Sequence, residues 1–399
     1  MHRELYSVVM RSKRITRRIT VNEVSPLAQN GLTMRVGVPS EVKNNEKRVA
    51  LMPAGVFELT QRGHDVVVQA GAGVGAHITD EEFIAAGATM LTTAEEVWGT
   101  ADLLLKVKEP IAQEYPLMRA GQVLFTYLHL AASRPCTDAL LASGTTSIAY
   151  ETVQLPDRSL PLLSPMSEVA GRLAAQVGAN QLMSSHGGGG VLMGGVPGTA
   201  KAKVVVIGGG VAGEHAAANA LGMGAEVTVV DVSIPRLRQL EALYSGLKTA
   251  VSTRYAIAAL VKDADLVIGS VLIPGAAAPK LVTDEMVSAM KPGSVLVDIA
   301  IDQGGCFEGS RPTTHDDPTF PVHNSTYYCV ANMPGAVAQT STQALTNATL
   351  PYVLQLADKG WKDAIAINAA LAKGLSTHAG DLYNTEVADA LGYEAKVLA

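Results

Sequence analysis

Cysteine is scarce in this chain: three thiols, Cys136, Cys306 and Cys329, occur in 399 residues, none at C-x-x-C spacing. That spacing argues against a disulfide framework and predicts reduced, buried thiols in a cytoplasmic protein. An excess of positive charge is also missing. With 31 Lys+Arg against 37 Asp+Glu the net charge is −6, so neither nucleic acid nor an anionic membrane surface is an expected partner. No apolar run is long enough to cross a bilayer, although 48% of residues are apolar and 17% charged. That is a globular balance, with chain enough for about two domains. None of the nine histidines falls into a ligand cluster at helix or turn spacing, so no metal is expected.

What the chain does have is glycine in a telling position. Val204 to Ile207 read as a short apolar strand, and Gly208, Gly210 and Gly213 then fit G-x-G-x-x-G where a helix through His215 and Asn219 begins. The first glycine permits a tight turn and the second lets backbone approach a pyrophosphate. The third lets helix pack closely on strand while helix N–H groups face the anion. A second strand, Ala225 to Asp231, ends on a carboxylate able to accept hydrogen bonds from ribose hydroxyls. This favours NAD over NADP as cofactor, with Arg236 and Arg238 close enough in sequence to keep the 2′-phosphate form in play.

Strand and helix patterns alternate from Met34 onward. Arg35–Val38, His64–Gln69, Asp102–Lys108, Gln122–Tyr127 and Thr146–Tyr150 read as strands, Pro53–Arg62 as a helix, and Ser167–Met183 as a long interdomain connector. After Asp231, Ala264–Gly269 and Gly293–Asp298 give the cofactor half at least four parallel strands. The chain beyond about Gln339 reads as mostly helical. The expected fold is therefore α/β: a Rossmann-type doubly wound parallel sheet for NAD over 162–338, and a second α/β substrate domain over 34–161 and 339–399, completed by the C-terminal helices. The glycine run Ser185–Val191 lacks a Gly-Lys-Ser/Thr ending and reads as a flexible connector. Residues 1–33 carry six basic against two acidic groups; a disordered tail, or a true start at Met34, is expected there ahead of a transit peptide.

In an open α/β sheet the carboxyl ends of strands face the ligand crevice, which singles out four polar residues: Arg48, Lys108, His129 and Asp302. Taken singly each has a plainer explanation. Arg48 could pair on the surface, Lys108 could snorkel beside Glu109, His129 could be a satisfied interior histidine, and Asp302 could cap a turn.

Together their surroundings are more specific. Met34-Arg-Val-Gly-Val-Pro-Ser-Glu41 with Asn44–Arg48, Leu104–Pro110, Leu128–Ser133, Pro165–Gly171, Asp298–Cys306 and Cys329–Pro334 resemble the alanine dehydrogenase family from Met34 to Ala399. The resemblance implies reversible NAD-dependent oxidative deamination of L-alanine to pyruvate and ammonia, in a cytoplasmic homohexamer of two-domain subunits. It implies that Arg48 and Lys108 bind substrate, that His129 and Asp302 are catalytic, and that Ser167, Asp231, Arg236, Ser252, Val330 and Asn332 lie around NAD. A guanidinium allows bidentate pairing with a carboxylate, and an imidazole titrating near neutrality suits a general base. The main competing reading is the soluble NAD-binding subunit of proton-translocating transhydrogenase. A saccharopine-type or other amino-acid dehydrogenase and a catalytically silent NAD sensor are the remaining alternatives.

Overall fold

The computed structural model describes residues 32–271 and 278–397; the basic leader, up to residue 31, lies outside them. Its first half supplies strands β1 (Arg35–Val38), β2 (Asp65–Gln69), β3 (Thr89–Leu91), β4 (Leu103–Leu105), β5 (Val123–Thr126) and β6 (Thr146–Ala149). Between them run α1 (Pro53–Gln61), α2 (Asp80–Ala85), α3 (Ala94–Thr100) and α4 (Arg134–Ser143). The connector α5 (Ser164–Gln181) leads to β7 (Lys203–Ile207), α6 (Val211–Gly222), β8 (Glu226–Asp231), α7 (Ile234–Leu243), β9 (Lys248–Val251), α8 (Arg254–Asp263), β10 (Leu266–Gly269), α9 (Asp284–Ser288), β11 (Val295–Asp298), β12 (Thr319–Val322) and β13 (Ser325–Tyr328). The return is α10 (Ala338–Lys359), α11 (Trp361–Ile367), α12 (Ala369–Ala372), β14 (Leu375–His378), β15 (Asp381–Leu382) and α13 (Thr385–Leu391).

The two sheets share one plan. The first runs β3-β2-β1-β4-β5-β6 in parallel, with β14 and β15 added antiparallel beyond β6. The second runs β9-β8-β7-β10-β11-β13 in parallel, with β12 antiparallel at its edge. Each order reverses once, between β1 and β4 and between β7 and β10. Ligands of open α/β sheets bind at such reversals, outside the carboxyl ends of the strands.

Sequence explains the interior strands directly. Covered on both faces, a parallel strand reads as a continuous apolar run; Leu103–Leu105 are fully buried and Val204–Ile207 nearly so. Helix starts are local as well, since Thr79 and Thr93 close capping boxes with Glu82 and Glu96. Small residues let α5 lie close against α6. A Cβ on Gly171 would come within 2.1 Å of the Ala212 carbonyl oxygen, while Ala216, Ala217 and Ala220 of α6 are wholly buried.

Four features depart from the expectation. β3 and β9 are short, partly exposed edges without an apolar alternation to announce them. The β12–β13 hairpin widens the second sheet. The C-terminal return adds strands as well as helices, and β14 hides its burial behind polar residues: Thr377 Oγ1 donates to the Thr145 carbonyl at 3.0 Å and bonds Ser147 Oγ at 2.7 Å. The glycine run is a connector pinned by backbone bonds, with Gly189 N donating to Gly293 O at 3.0 Å and Gly190 N to Leu182 O at 2.9 Å.

All three cysteines are free and buried, and burial pushes the Cys136 and Cys329 thiols up to about 12. No helix among the described residues is long and apolar enough to cross a membrane.

Gly171→Ala is expected to lower unfolding free energy by about 3 kcal/mol, at the upper end of overpacking costs, because backbone on both helices must move. Gly222→Ala, whose Cβ would meet nothing within 4 Å, is expected to gain about 0.5 kcal/mol. Urea denaturation of the pair checks this; equal stabilities would contradict the close approach of α5 to α6.

Candidate active site

At the first reversal the loop after β1 and the end of β4 face one another. The fully buried Lys106 ammonium lies 3.0 Å from Glu41 and 2.8 Å from Glu114. Glu41 also accepts the Val107 N–H at 2.6 Å, and Glu114 accepts the Ile111 N–H at 3.0 Å. This network fixes the chain on either side of Lys108. The Lys108 side chain is itself buried, and burial pushes its pKa below the ordinary lysine value. Asp302 opposes that shift, Arg48 adds to it, and Glu109 opposes it. Lys108 thus feels the charges of Asp302 and Arg48 directly, which brings three of the four sequence candidates together.

Arg48 is 2% exposed. Its Nε donates to Glu46 Oε1 at 2.7 Å, its Nη2 to Glu46 Oε2 at 2.5 Å and to Asn332 Oδ1 at 2.6 Å, and its Nη1 to Met166 Sδ at 3.0 Å. Burial would raise the Glu46 carboxyl, but the hydrogen bonds and charge of Arg48 hold it down at about 2. Asn332 Nδ2 donates to Glu46 Oε2 at 2.9 Å, so the residue following β13 by four positions closes a ring with the loop after β1.

His129 follows β5 in left-handed backbone, φ 48°. Its amide donates to Glu151 Oε1 at 2.7 Å, its Nδ1 lies 4.0 Å from the same oxygen, and its ring lies parallel to that of Tyr127 at 5.9 Å. The imidazole is 39% exposed. Glu109 links it to the rest: burial favours the protonated form of Glu109, yet Lys43, Lys108 and His129 all act to hold it ionised. Asp302 is exposed on the turn Ile299–Gln303 after β11. Buried Asp298 shapes that turn by accepting from Cys306 N at 3.0 Å and Ser310 Oγ at 2.6 Å.

The second reversal carries the glycine loop, and its geometry fits a dinucleotide. Gly208 has φ 98°, and a Cβ on Gly213 would lie 1.8 Å from the Gly208 carbonyl oxygen. A Cβ on Gly210 would meet nothing within 4 Å, which leaves open space at the start of α6 for a phosphate. Asp231 accepts the amides of Gly209 at 2.6 Å and Ser233 at 2.7 Å, and its carbonyl accepts from Ser252 N at 2.9 Å. Arg236 lies over the loop, Nε to Gly209 O at 2.6 Å, with its charge met by Glu214. Ser167 is half-buried on the first turn of α5, next to the Met166 that touches Arg48, and Val330 is buried beside Thr313. Among the described residues no group of three or more His, Cys, Asp or Glu could hold a metal ion.

Sequence reading did not single out Glu41, Glu46, Lys106, Glu114 or Glu151. Glu46 had a signal, an acid two residues from Arg48 and so able to share its side of an extended segment. The others are joined to their partners only by the fold.

Two family models match, "Alanine dehydrogenase/PNT, N-terminal domain" over residues 37–170 and "Alanine dehydrogenase/PNT, C-terminal domain" over 174–385. The chain is 68% identical over 360 residues to an alanine dehydrogenase of Mycobacterium tuberculosis (strain CDC 1551 / Oshkosh), covering 90% of this chain and 97% of that one. It is 59% identical over 362 residues to an alanine dehydrogenase of Halomonas elongata, covering 90% and 98%. Among solved structures, an L-alanine dehydrogenase superposes with TM-score 0.86 at 49% identity over 90% of this chain and 99% of that one. A transhydrogenase from Sinorhizobium meliloti superposes at 0.75 and 31% identity over 88% and 99%.

The lowered Glu46 pKa gives a signed prediction. Its stabilising contribution is fully present above the ordinary value of 4.5 and is lost as pH falls toward about 2, an amount on the order of 3 kcal/mol. The stability gap between wild type and Glu46→Gln, followed by urea denaturation, should therefore shrink across that window. A gap constant from pH 5 down to 2.5 would contradict the pairing.

Proposed function

Because the chain belongs to the alanine dehydrogenase/PNT family, we propose that it catalyses the reversible NAD-dependent oxidative deamination of L-alanine to pyruvate and ammonia. One observation carries this reading: Arg48 and Lys108 are both buried at one strand-order reversal, and Lys108 feels the charge of Asp302 from the other half. Two buried cations call for a small anion, and a 2-amino or 2-oxo carboxylate supplies it. A saccharopine-type substrate would have to fit a longer chain beside Met166. A relay of hydride between two dinucleotides, as in a transhydrogenase, has no use for a carboxylate site there.

Gly208, Gly210 and Gly213 would hold the cofactor pyrophosphate, Asp231 the ribose hydroxyls, and Ser167, Ser252, Val330 and Asn332 would lie along the rest of the dinucleotide. Because Arg236 is neutralised by Glu214 and Asp231 presents a carboxylate, NAD fits better than its 2′-phosphorylated form. Bound NAD would supply the acceptor for the hydride on the alanine Cα.

The chain's own groups do the remaining work. Arg48 and Lys108 take the substrate carboxylate. Alanine must shed a proton from its ammonium group before the Cα–H bond can break, and His129 accepts that proton, its backbone and ring held by Glu151 and Tyr127. Asp302 activates the water that adds to the substrate imine and shuttles protons as ammonia leaves. In the reverse direction the Lys108 ammonium polarises the pyruvate carbonyl. We place the division between substrate and cofactor domains at 34–161 with 339–399 and 162–338, and read the assembly as a cytoplasmic homohexamer.

Purified protein should form NADH with L-alanine and do so poorly with larger amino acids. His129→Ala should lower kcat by about 10²–10⁴-fold, the usual worth of a general base, while NADH affinity read by fluorescence stays within about threefold. Absence of NADH formation with L-alanine, alongside turnover of a larger amino acid, would overturn the substrate assignment.

A further inference from the structure

Arginine has five N–H donors in a fixed fork, and the fork has only so many edges to offer a carboxylate. In this molecule most are taken before any substrate arrives. Glu46 spans the Nε–Nη2 edge in bidentate fashion, and the other Nη2 proton goes to Asn332 Oδ1. Nη1 alone is left with a weak acceptor, the Met166 thioether at 3.0 Å. A thioether is readily displaced by a carboxylate oxygen. The two-point fork on Arg48 expected from sequence is therefore occupied by the protein itself.

Resting on the alanine dehydrogenase reading, we propose that Glu46 is a positioning residue that dictates where the substrate carboxylate sits. By occupying the stronger edge it restricts the substrate to Nη1, and the second carboxylate oxygen falls to Lys108. One-point contacts from two cations set the Cα between them, in reach of His129 on one side and Asp302 on the other. The Glu46 side chain is wholly buried, and its carboxylate also accepts the Arg48 and Asn332 N–H groups, so it has no freedom to yield its place. Asn332 is oriented by the same ring, Nδ2 toward the carboxylate and Oδ1 toward the guanidinium. The substrate arginine is thereby tied to the segment that would flank the cofactor.

This arrangement has a consequence with an unusual sign. Removing the Glu46 charge frees the Nε–Nη2 fork and leaves a buried guanidinium short of an anion. A substrate-like carboxylate should then bind at least as well, in the wrong place. A residue needed only for folding would weaken binding and turnover together.

The test uses full-length wild type, Glu46→Gln and Glu46→Asp, with oxamate, an isostere of pyruvate, as the ligand titrated into enzyme saturated with NADH. For Glu46→Gln we expect kcat for L-alanine to fall by at least about 100-fold, the penalty of roughly 1 Å misplacement. Oxamate affinity should stay equal to wild type or tighten by up to about tenfold. Glu46→Asp, which keeps the charge on a shorter stem, should turn over at least about tenfold faster than Glu46→Gln with oxamate affinity near wild type; if the Gln variant does not fold, a kcat for Glu46→Asp at least about tenfold below wild type with oxamate affinity unchanged is the expected result. Turnover in Glu46→Gln within about threefold of wild type would overturn the proposal, as would oxamate affinity falling in step with kcat in either variant. Wild-type turnover of L-alanine is the control, and its failure would count against the parent reading instead.

Discussion

Burial of two like charges at one strand-order reversal is the constraint on which the rest of the site depends. Taking Arg48 and Lys108 out of water carries an effective penalty of several kcal/mol per ion, recovered only where counter-charges and hydrogen bonds are close and well placed. Glu46 answers Arg48 within the same loop. Among the described residues Lys108 makes no ion pair of that kind; Asp302 and Glu109 favour its charge, and burial still pushes its pKa down. Lys108 is thus the less compensated of the two cations, and on the proposed reading a substrate carboxylate adds the counter-charge that it shares with Arg48.

The two halves share a strand order yet meet their ligands by different physics. The second half offers backbone: a positive φ at Gly208, an open flank at Gly210, and helix N–H groups, while Glu214 neutralises the nearby Arg236. The first half offers side-chain charge, stiffened from behind by the Glu41–Lys106–Glu114 network and the left-handed turn at His129. Asn332 joins them, reaching from the second half into the Arg48–Glu46 pair. A Cβ on Gly335 would lie 2.8 Å from the Asn332 side-chain Nδ2, so a larger residue there would press on the group that reaches Glu46.

Much of this was legible in the sequence, for reasons specific to each feature. The interior strands and the glycine loop announce themselves because parallel strands covered on both faces must be apolar and because a pyrophosphate needs backbone without a Cβ. Arg48, Lys108, His129 and Asp302 were legible as polar breaks at strand ends. The edges β3 and β9 were not, since exposed short strands carry no alternation, and β14 was masked by buried Thr377, whose partners Ser147 and Thr145 lie more than 200 residues away. The acids that hold the site escaped for a related reason: Glu41 meets Lys106 and Glu151 meets His129 only once the sheet has formed. A bidentate Arg48 fork was a sound expectation from the side chain alone, and the fold assigns that fork to Glu46.

The most direct measurement of the central claim is the crystal structure of the protein with NADH and pyruvate bound. The account predicts the pyruvate carboxylate between Arg48 Nη1 and Lys108 Nζ, with the Glu46–Arg48 fork intact and the keto carbon between His129 and Asp302. Pyruvate seated away from both cations, or inserted into the Nε–Nη2 edge with Glu46 displaced, would contradict it.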